Sequence, residues 1–176
     1  EMVFPAYSLL RVLTTAGIPV ALAKIISELV ATGQERRAER LFRVSAVALL
    51  LSGLMVTVLA EHFLLPRLDR VFVDQRANPV FLAIIPAIAI VSMSSAYRSF
   101  FQGRQAMAPI AGGQVLEQVV RITVGLWLAR RLLDLGIEFA AVGLAAGMVA
   151  GEGVGLGYLF WQYHRRSSEY PGQRGA

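Results

Sequence analysis

The chain has 176 residues, of which 56% are hydrophobic and 16% charged, whereas soluble domains carry roughly 25% charged residues. The formal net charge is +5, but the arginines are spread between apolar stretches instead of gathering on one face, so the composition does not indicate nucleic-acid binding. With no cysteine and two separate histidines, the sequence offers neither a disulfide framework nor a zinc-ligand pattern.

Five apolar stretches are each long enough to cross a membrane. Their predicted bounds are residues 2–30, 41–65, 79–101, 109–133 and 137–163. A membrane-spanning helix needs about 20 mostly apolar residues, and the short joining segments carry glycine, asparagine and proline, which are typical of turns. The sequence therefore predicts an all-α integral membrane domain over residues 1–176, with consecutive helices antiparallel.

The first predicted span contains a charged residue. Arg11 shares one helical face with Thr14 and Thr15, because residues three and four apart are neighbours on a helix surface. A charge at mid-membrane costs at least about 2.5 kcal/mol, so it normally faces a protein interior or a wet cavity. Arg11 reaching the outer headgroups is the alternative. The hydroxyl groups beside Arg11 favour a cavity that includes Arg11 and Thr15.

The fourth predicted span carries the densest polar pattern. Gln114, Glu117, Gln118, Arg121 and Gly125 follow the spacing of one helical stripe. Glu117 and Arg121 are one turn apart and can form an ion pair, which lowers the energy of burying both charges. Two interpretations remain open: a structural ion pair, or a cavity-lining stripe that takes part in gating or substrate contact.

The fifth predicted span has glycines at four-residue spacing, at Gly143, Gly147, Gly151 and Gly155. Such small-residue faces let a neighbouring helix approach closely, and dispersion contacts then replace the hydrophobic effect that is absent in lipid. We therefore predict that these four glycines are helix-packing residues. A phosphate-binding loop is not indicated, because the glycines lack the required order and no strand precedes them.

Arginines near the ends of the predicted spans indicate orientation. One set of nine comprises Arg36, Arg37, Arg40, Arg43, Arg98, Arg104, Arg165, Arg166 and Arg174, and the opposite set of five comprises Arg67, Arg70, Arg76, Arg130 and Arg131. The excess predicts that the first set, and with it the carboxyl terminus, is cytoplasmic. The amino terminus would then lie outside, so we expect a further helix upstream.

Two stretches and one shorter run of the sequence carry a family resemblance. They run from Ala16 to Glu28, from Tyr97 to Arg121, and through Ala-Ala-Val-Gly-Leu-Ala-Ala-Gly from Ala140. They resemble the stage V sporulation protein B branch of the polysaccharide and lipid-precursor exporters, in the superfamily that also holds drug antiporters and lipid II flippases. The resemblance covers nearly the whole chain.

The resemblance implies a fragment of the amino-terminal half of a bundle of twelve to fourteen helices, in which these five spans are the second to sixth. It implies alternating-access flipping of an undecaprenyl-pyrophosphate-linked sugar, such as lipid II or a polysaccharide precursor, in the bacterial plasma membrane. Arg11 falls near the intramembrane arginine of the lipid II flippases, where a guanidinium suits a pyrophosphate. No cofactor, metal or covalent reaction is implied, and the partners are the lipid-linked sugar, membrane lipid and the remaining helices.

Other functions fit parts of the pattern. A cation-coupled drug antiporter of the same fold would use a cavity carboxylate, for which Glu117 and Glu152 are the deep candidates. A membrane assembly protein would use the glycine face to dimerise. A membrane-embedded transferase needs acid, base or metal-binding side chains clustered at one interface, and the sequence contains no such set.

Overall fold

The computed structural model describes residues 18–59, 62 and 87–169, and all regular structure in these ranges is helical. Helix α1 is described over residues 18–31. It is followed by α2 (Glu35–Leu59), α3 (Ala87–Gly103) and α4 (Met107–Leu132). A 3₁₀ turn at Leu133–Leu135 then leads into α5 (Ile137–Glu169). The all-helical part of the sequence prediction is confirmed for these residues.

Three tight turns reverse the chain between neighbouring helices. Gly33, with φ +73°, joins α1 to α2, and Gly136, with φ +130°, joins the 3₁₀ turn to α5. Both glycines adopt backbone conformations that other residues rarely take. Between α3 and α4, Gln105 adopts φ +57°, and its N–H donates to the Gln102 carbonyl at 2.9 Å. Short turns of this kind make the helices they join antiparallel neighbours.

Helix α2 begins at Glu35 and not at residue 41, where the apolar pattern begins. The arginine-rich segment after α1 is therefore the first two turns of α2. Glu35 lies in the first turn, where a carboxylate interacts favourably with the helix dipole, and arginine is a good helix former. Helix α5 likewise continues to Glu169, six residues beyond the predicted span.

Among helices α2 to α5, α4 and α5 form the most extensive packed pair, and α2 with α3 forms the second. The α2–α3 contact is close at Gly53, where an added Cβ would lie 2.8 Å from the Ser92 hydroxyl. Helix α1 packs on the end of α3, because a Cβ at Gly103 would lie 2.7 Å from the Ala23 carbonyl oxygen. Helix α3 thus occupies the centre of the described bundle.

An aromatic cluster, formed by Phe42, Tyr97, Phe100 and Tyr163, joins α2, α3 and α5 at the end of the bundle that carries the arginine-rich turn. The Phe42 ring lies 4.6 Å from the Phe100 ring and 5.1 Å from the rings of both Tyr97 and Tyr163. Phe42 is 2% exposed. Each buried aromatic ring contributes both apolar area and edge-to-face contacts.

Many of the exposed side chains of the helices are large and apolar. In α2, the exposed side chains include Val44, Val47, Leu51, Met55 and Val58. Within the described residues, Glu35–Leu59 and Ile137–Arg166 are long and apolar enough to cross a membrane by length and composition. Helix α4 has 26 residues and is long enough, but its polar stripe lowers its hydropathy.

Candidate functional site

The close approach of α4 and α5 places two carboxylates beside each other. A Cβ at Gly151 would lie 2.8 Å from the Glu117 carbonyl oxygen, and a Cβ at Gly155 would lie 3.3 Å from the Glu117 Cβ. Because neither glycine has a side chain, Glu117 of α4 fits against α5 next to Glu152. Glu117 is 6% exposed and Glu152 is 8% exposed.

Two arginines neutralise these carboxylates. The Arg121 guanidinium donates to Glu117 Oε1 at 2.5 Å and to Glu152 Oε1 at 3.1 Å. Arg98 of α3 donates to Glu117 Oε2 at 2.7 Å and lies 3.8 Å from Glu152 Oε2. We call these four residues the ion cluster. It joins α3, α4 and α5, and its formal charge is zero.

The formal charges of the ion cluster cancel, but some of its buried polar atoms lack a hydrogen bond to any described residue. Glu117 has a guanidinium partner at each carboxylate oxygen, whereas Glu152 Oε2 and Arg121 Nε are buried without a hydrogen bond in the described part of the chain. Removing charges from water is expensive, and mutual attraction offsets this only when the geometry is good. Among the described residues, Arg121 is the only donor of a side-chain hydrogen bond to Glu152.

A largely apolar groove of about 720 Å³, bordered by a few polar side chains, lies beside the ion cluster along the outer face of α4. Its lining consists of Arg98, Ala111, Gln114, Val115, Glu117, Gln118, Val119 and Ile122. Gln114 and Gln118 are exposed. Neither amide forms a hydrogen bond to another described residue. Two amides without a hydrogen-bond partner in the described ranges, together with one guanidinium, therefore border an otherwise apolar surface.

The structure divides the predicted polar stripe of α4 among three surroundings. Gln114 and Gln118 face the groove, while Glu117 lies between α4 and the ion-pair partners on α3 and α5. The i, i+4 ion pair between Glu117 and Arg121 is present. Gly125 lies against α5, next to Leu144. Residues that share one helical face in the sequence therefore have three different roles in the structure. They line the groove, form the ion cluster or pack against α5.

The four predicted packing glycines all face α4. A Cβ at Gly143 would lie 2.7 Å from the Ala129 backbone nitrogen, and a Cβ at Gly147 would overlap the backbone of Gly125. Gly151 and Gly155 face Glu117. Arg11 and Thr15, the other predicted cavity residues, lie outside the described residues.

Arg98 and Glu152 are the two members of this site that the sequence analysis did not assign to it. The sequence predicts Arg98 only as a cytoplasmic-side arginine; in the structure it lies inside α3, and its side chain is 32% exposed. Its position within the predicted 79–101 span is the same signal that singled out Arg11. Among the described residues, no three His, Cys, Asp or Glu side chains come together as a metal site.

A helical bundle with largely apolar outer faces, in which two described helices are long and apolar enough to cross a membrane, belongs to the class of helical proteins suited to a membrane. Comparison with known proteins points to the same class. The family described as polysaccharide biosynthesis protein matches residues 1–174, and the chain belongs to that family. This confirms the family resemblance found in the sequence.

Three relatives from Bacillus subtilis (strain 168) illustrate the similarity. The chain is 37% identical over 159 residues to Stage V sporulation protein B, covering 90% of this chain and 31% of that protein. It is 26% identical over 175 residues to Lipid II flippase MurJ, covering 92% and 32%. It is 28% identical over 178 residues to Uncharacterized membrane protein YabM, covering 96% and 32%. The chain thus spans about a third of the length of these relatives. No solved structure matches it significantly.

Proposed function

We propose that the protein containing this chain flips a lipid-linked sugar precursor across the bacterial plasma membrane by alternating access. The observation that carries the proposal is the similarity, over 92% of the chain, to a relative named as a lipid II flippase, within a family named for polysaccharide biosynthesis. The transported molecule would carry an undecaprenyl pyrophosphate. The protein would move it without making or breaking a covalent bond.

Five membrane-spanning helices are part of the proposal. The apolar outer faces of α2 and α5 support it, because large contiguous apolar surfaces are rare on soluble monomers. Arg36, Arg37 and Arg40 lie in the first turns of α2, at the end where α3 and α5 finish. Arginines favour the cytoplasmic side, so this end and the carboxyl terminus would face the cytoplasm.

The proposed substrate contacts are the polar residues of the groove. Gln114 and Gln118 would donate hydrogen bonds to sugar hydroxyls, because an amide facing lipid without a partner is unfavourable. The ion pair between Glu117 and Arg121 would fix the position of α4, which carries these two glutamines. By family resemblance, Arg11 and Thr15 would add a second polar wall, and the glycines of α5 would keep α4 in register.

A cation-coupled drug antiporter would need an available carboxylate. Both oxygens of Glu117 accept from guanidinium groups, which disfavours Glu117 as a cation site. Glu152 Oε2 accepts no hydrogen bond from a described residue, so Glu152 is the carboxylate that an antiporter would use. An assembly protein would need a free glycine face for a partner. At three of the four glycines an added Cβ would overlap the α4 backbone of the same chain, so that face is already covered.

The test is a flipping assay on the gene product that contains this sequence, reconstituted in proteoliposomes with fluorescently labelled lipid II. Loss of fluorescence on adding a membrane-impermeant quencher reports the labelled lipid in the outer leaflet. The double variant Gln114→Leu/Gln118→Leu should slow flipping about tenfold, since two hydrogen bonds are lost. Thr123→Val, on the same helix but outside the groove, is the matched control. Drug transport without lipid flipping by the unmodified protein would replace this proposal with the antiporter.

A further inference from the structure

Arg98 is the ion-cluster member with access to the groove from α3. Its guanidinium lies 2.7 Å from Glu117 and it lines the groove together with Gln114 and Gln118. The side chain of Glu117 is 7% exposed, whereas that of Arg98 is 32% exposed. One guanidinium therefore contacts both the buried carboxylate and the groove.

Arg98 can leave Glu117 while both buried carboxylates keep a hydrogen bond from a guanidinium. Glu117 would keep Arg121 at its other oxygen, and Glu152 would keep its hydrogen bond from Arg121. Arg121 has no such freedom, because it alone donates a hydrogen bond to Glu152 among the described residues. The two arginines thus differ: Arg121 holds the carboxylates together, and Arg98 is exchangeable.

The groove around Arg98 suits one kind of ligand. A guanidinium binds phosphate through paired N–H donors and stays charged when desolvated. The neighbouring amides of Gln114 and Gln118 match hydroxyl groups, and Val115, Val119 and Ile122 provide an apolar strip along the same face. Phosphate, hydroxyls and a hydrocarbon chain occur together in a lipid with a phosphorylated sugar headgroup.

We propose that Arg98 binds the phosphate of the lipid-linked headgroup by exchanging Glu117 for the substrate. Glu117 is then a competitor that occupies Arg98 when the groove holds no substrate. This proposal rests on the proposed function and adds a substrate-binding residue to the same groove. In this proposal Arg98 favours substrate binding and Glu117 opposes it, so substitutions of the two residues should change binding in opposite directions.

The experiment measures binding of labelled lipid II to the complete gene product in detergent, with inorganic pyrophosphate as competitor. Arg98→Gln should weaken binding roughly ten- to hundredfold, the size of a lost hydrogen bond to a charged group. Arg98→Lys, which keeps the charge but not the paired donors, should fall in between. Glu117→Gln should tighten binding roughly threefold, because the competing ion pair is removed.

Two controls separate substrate binding from structure. Arg104→Gln removes another arginine that pairs with a glutamate across helices but does not line the groove, and it should leave binding unchanged. Melting temperatures of all variants report folding. If Arg98→Gln and Glu117→Gln weaken binding equally, or if only free pyrophosphate and not the lipid binds at Arg98, the exchange proposal is wrong.

A labelling experiment tests whether the groove is open to a substrate. This chain contributes no cysteine, so Gln118→Cys introduces one thiol at the groove wall. A water-soluble thiol reagent should modify it, and lipid II should protect it in the Glu117→Gln background at lower concentration than in the parent. An unreactive thiol would show that another helix covers the groove and would overturn the proposal. Wild-type flipping, measured separately, shows whether the proposed function itself fails.

Discussion

Two regions of this bundle hold helices together in opposite ways. Between α4 and α5, glycines bring the backbones into contact, and the side chains enclosed there are the charged groups of the ion cluster. In the aromatic cluster, large rings keep α2, α3 and α5 apart and fill the space between them. The first region depends on the absence of side chains, and the second depends on their volume.

This difference decides where charge is stable. Backbone contact at the glycines leaves little room for water, so Glu117 and Glu152 must be neutralised by Arg98 and Arg121. The aromatic cluster instead lies next to the arginine-rich end, where Arg104 stacks over the Phe100 ring at 4.9 Å. Substitutions in the two regions should therefore lower the free energy of unfolding for different physical reasons.

The largest expected effect is at the glycine contact. Gly147→Leu places a side chain where a Cβ alone already overlaps the Gly125 backbone, and backbone cannot move aside as a flexible side chain can. The free energy of unfolding should fall by more than about 4 kcal/mol. Gly157→Leu is the matched control, because a Cβ there meets nothing within 4 Å. Melting temperature in detergent is the measurement, and equal effects of both variants would contradict the packing role.

The second effect is loss of volume in the aromatic cluster. Phe42→Ala removes a buried ring that contacts three others, and it should lower the free energy of unfolding by about 3 kcal/mol. Phe139→Ala, on an exposed position of α5, should change it by less than about 0.5 kcal/mol. Phe42→Leu should recover part of the loss, because it restores volume. If Phe42→Leu is as damaging as Phe42→Ala, ring-specific contacts outweigh volume.

The third effect is an uncompensated charge in the ion cluster. Arg121→Gln leaves Glu152 buried with Arg98 at 3.8 Å as its remaining described cationic neighbour. The expected loss is about 2 to 3 kcal/mol, below the value for a fully buried pair because the Arg121 side chain is 29% exposed.

The double variant Arg121→Gln/Glu152→Gln checks this explanation. It removes one positive and one negative charge, so it should be more stable than Arg121→Gln alone. Thermal unfolding of the two single variants and the double variant gives the coupling energy. Additive losses would mean that the two side chains do not interact.

Parts of the fold could be read from the sequence because they depend on local pattern. Apolar length was enough to predict helices in the described residues, and four-residue spacing was enough to pick out the α5 glycines that lie on α4. The start of α2 at Glu35 does not follow from the apolar pattern. That pattern marks only the part of a helix suited to lipid, whereas the first two turns of α2 are rich in arginine.

The site was harder to predict because it depends on contacts between helices. Spacing within α4 was enough for the Glu117–Arg121 pair. Arg98 lies 19 positions from Glu117 and Glu152 lies 31 from Arg121, and no local pattern joins such residues. Arg98 and Arg104 also looked alike in sequence, as arginines at the end of one span, although one lies beside the groove and the other pairs with Glu35.

The smallest expected effect distinguishes these two arginines. Arg104→Gln removes an ion pair of 3.4 Å to Glu35 and a contact over the Phe100 ring. Because the Glu35 side chain is 39% exposed, the free energy of unfolding should fall by about 1 kcal/mol or less, and added salt should reduce the difference from the parent. The Arg98→Gln difference should persist in salt, since Glu117 is buried. Unfolding at low and high ionic strength measures both, and a salt-independent loss at Arg104 would mean that the aromatic cluster, not the ion pair, holds this turn against α2.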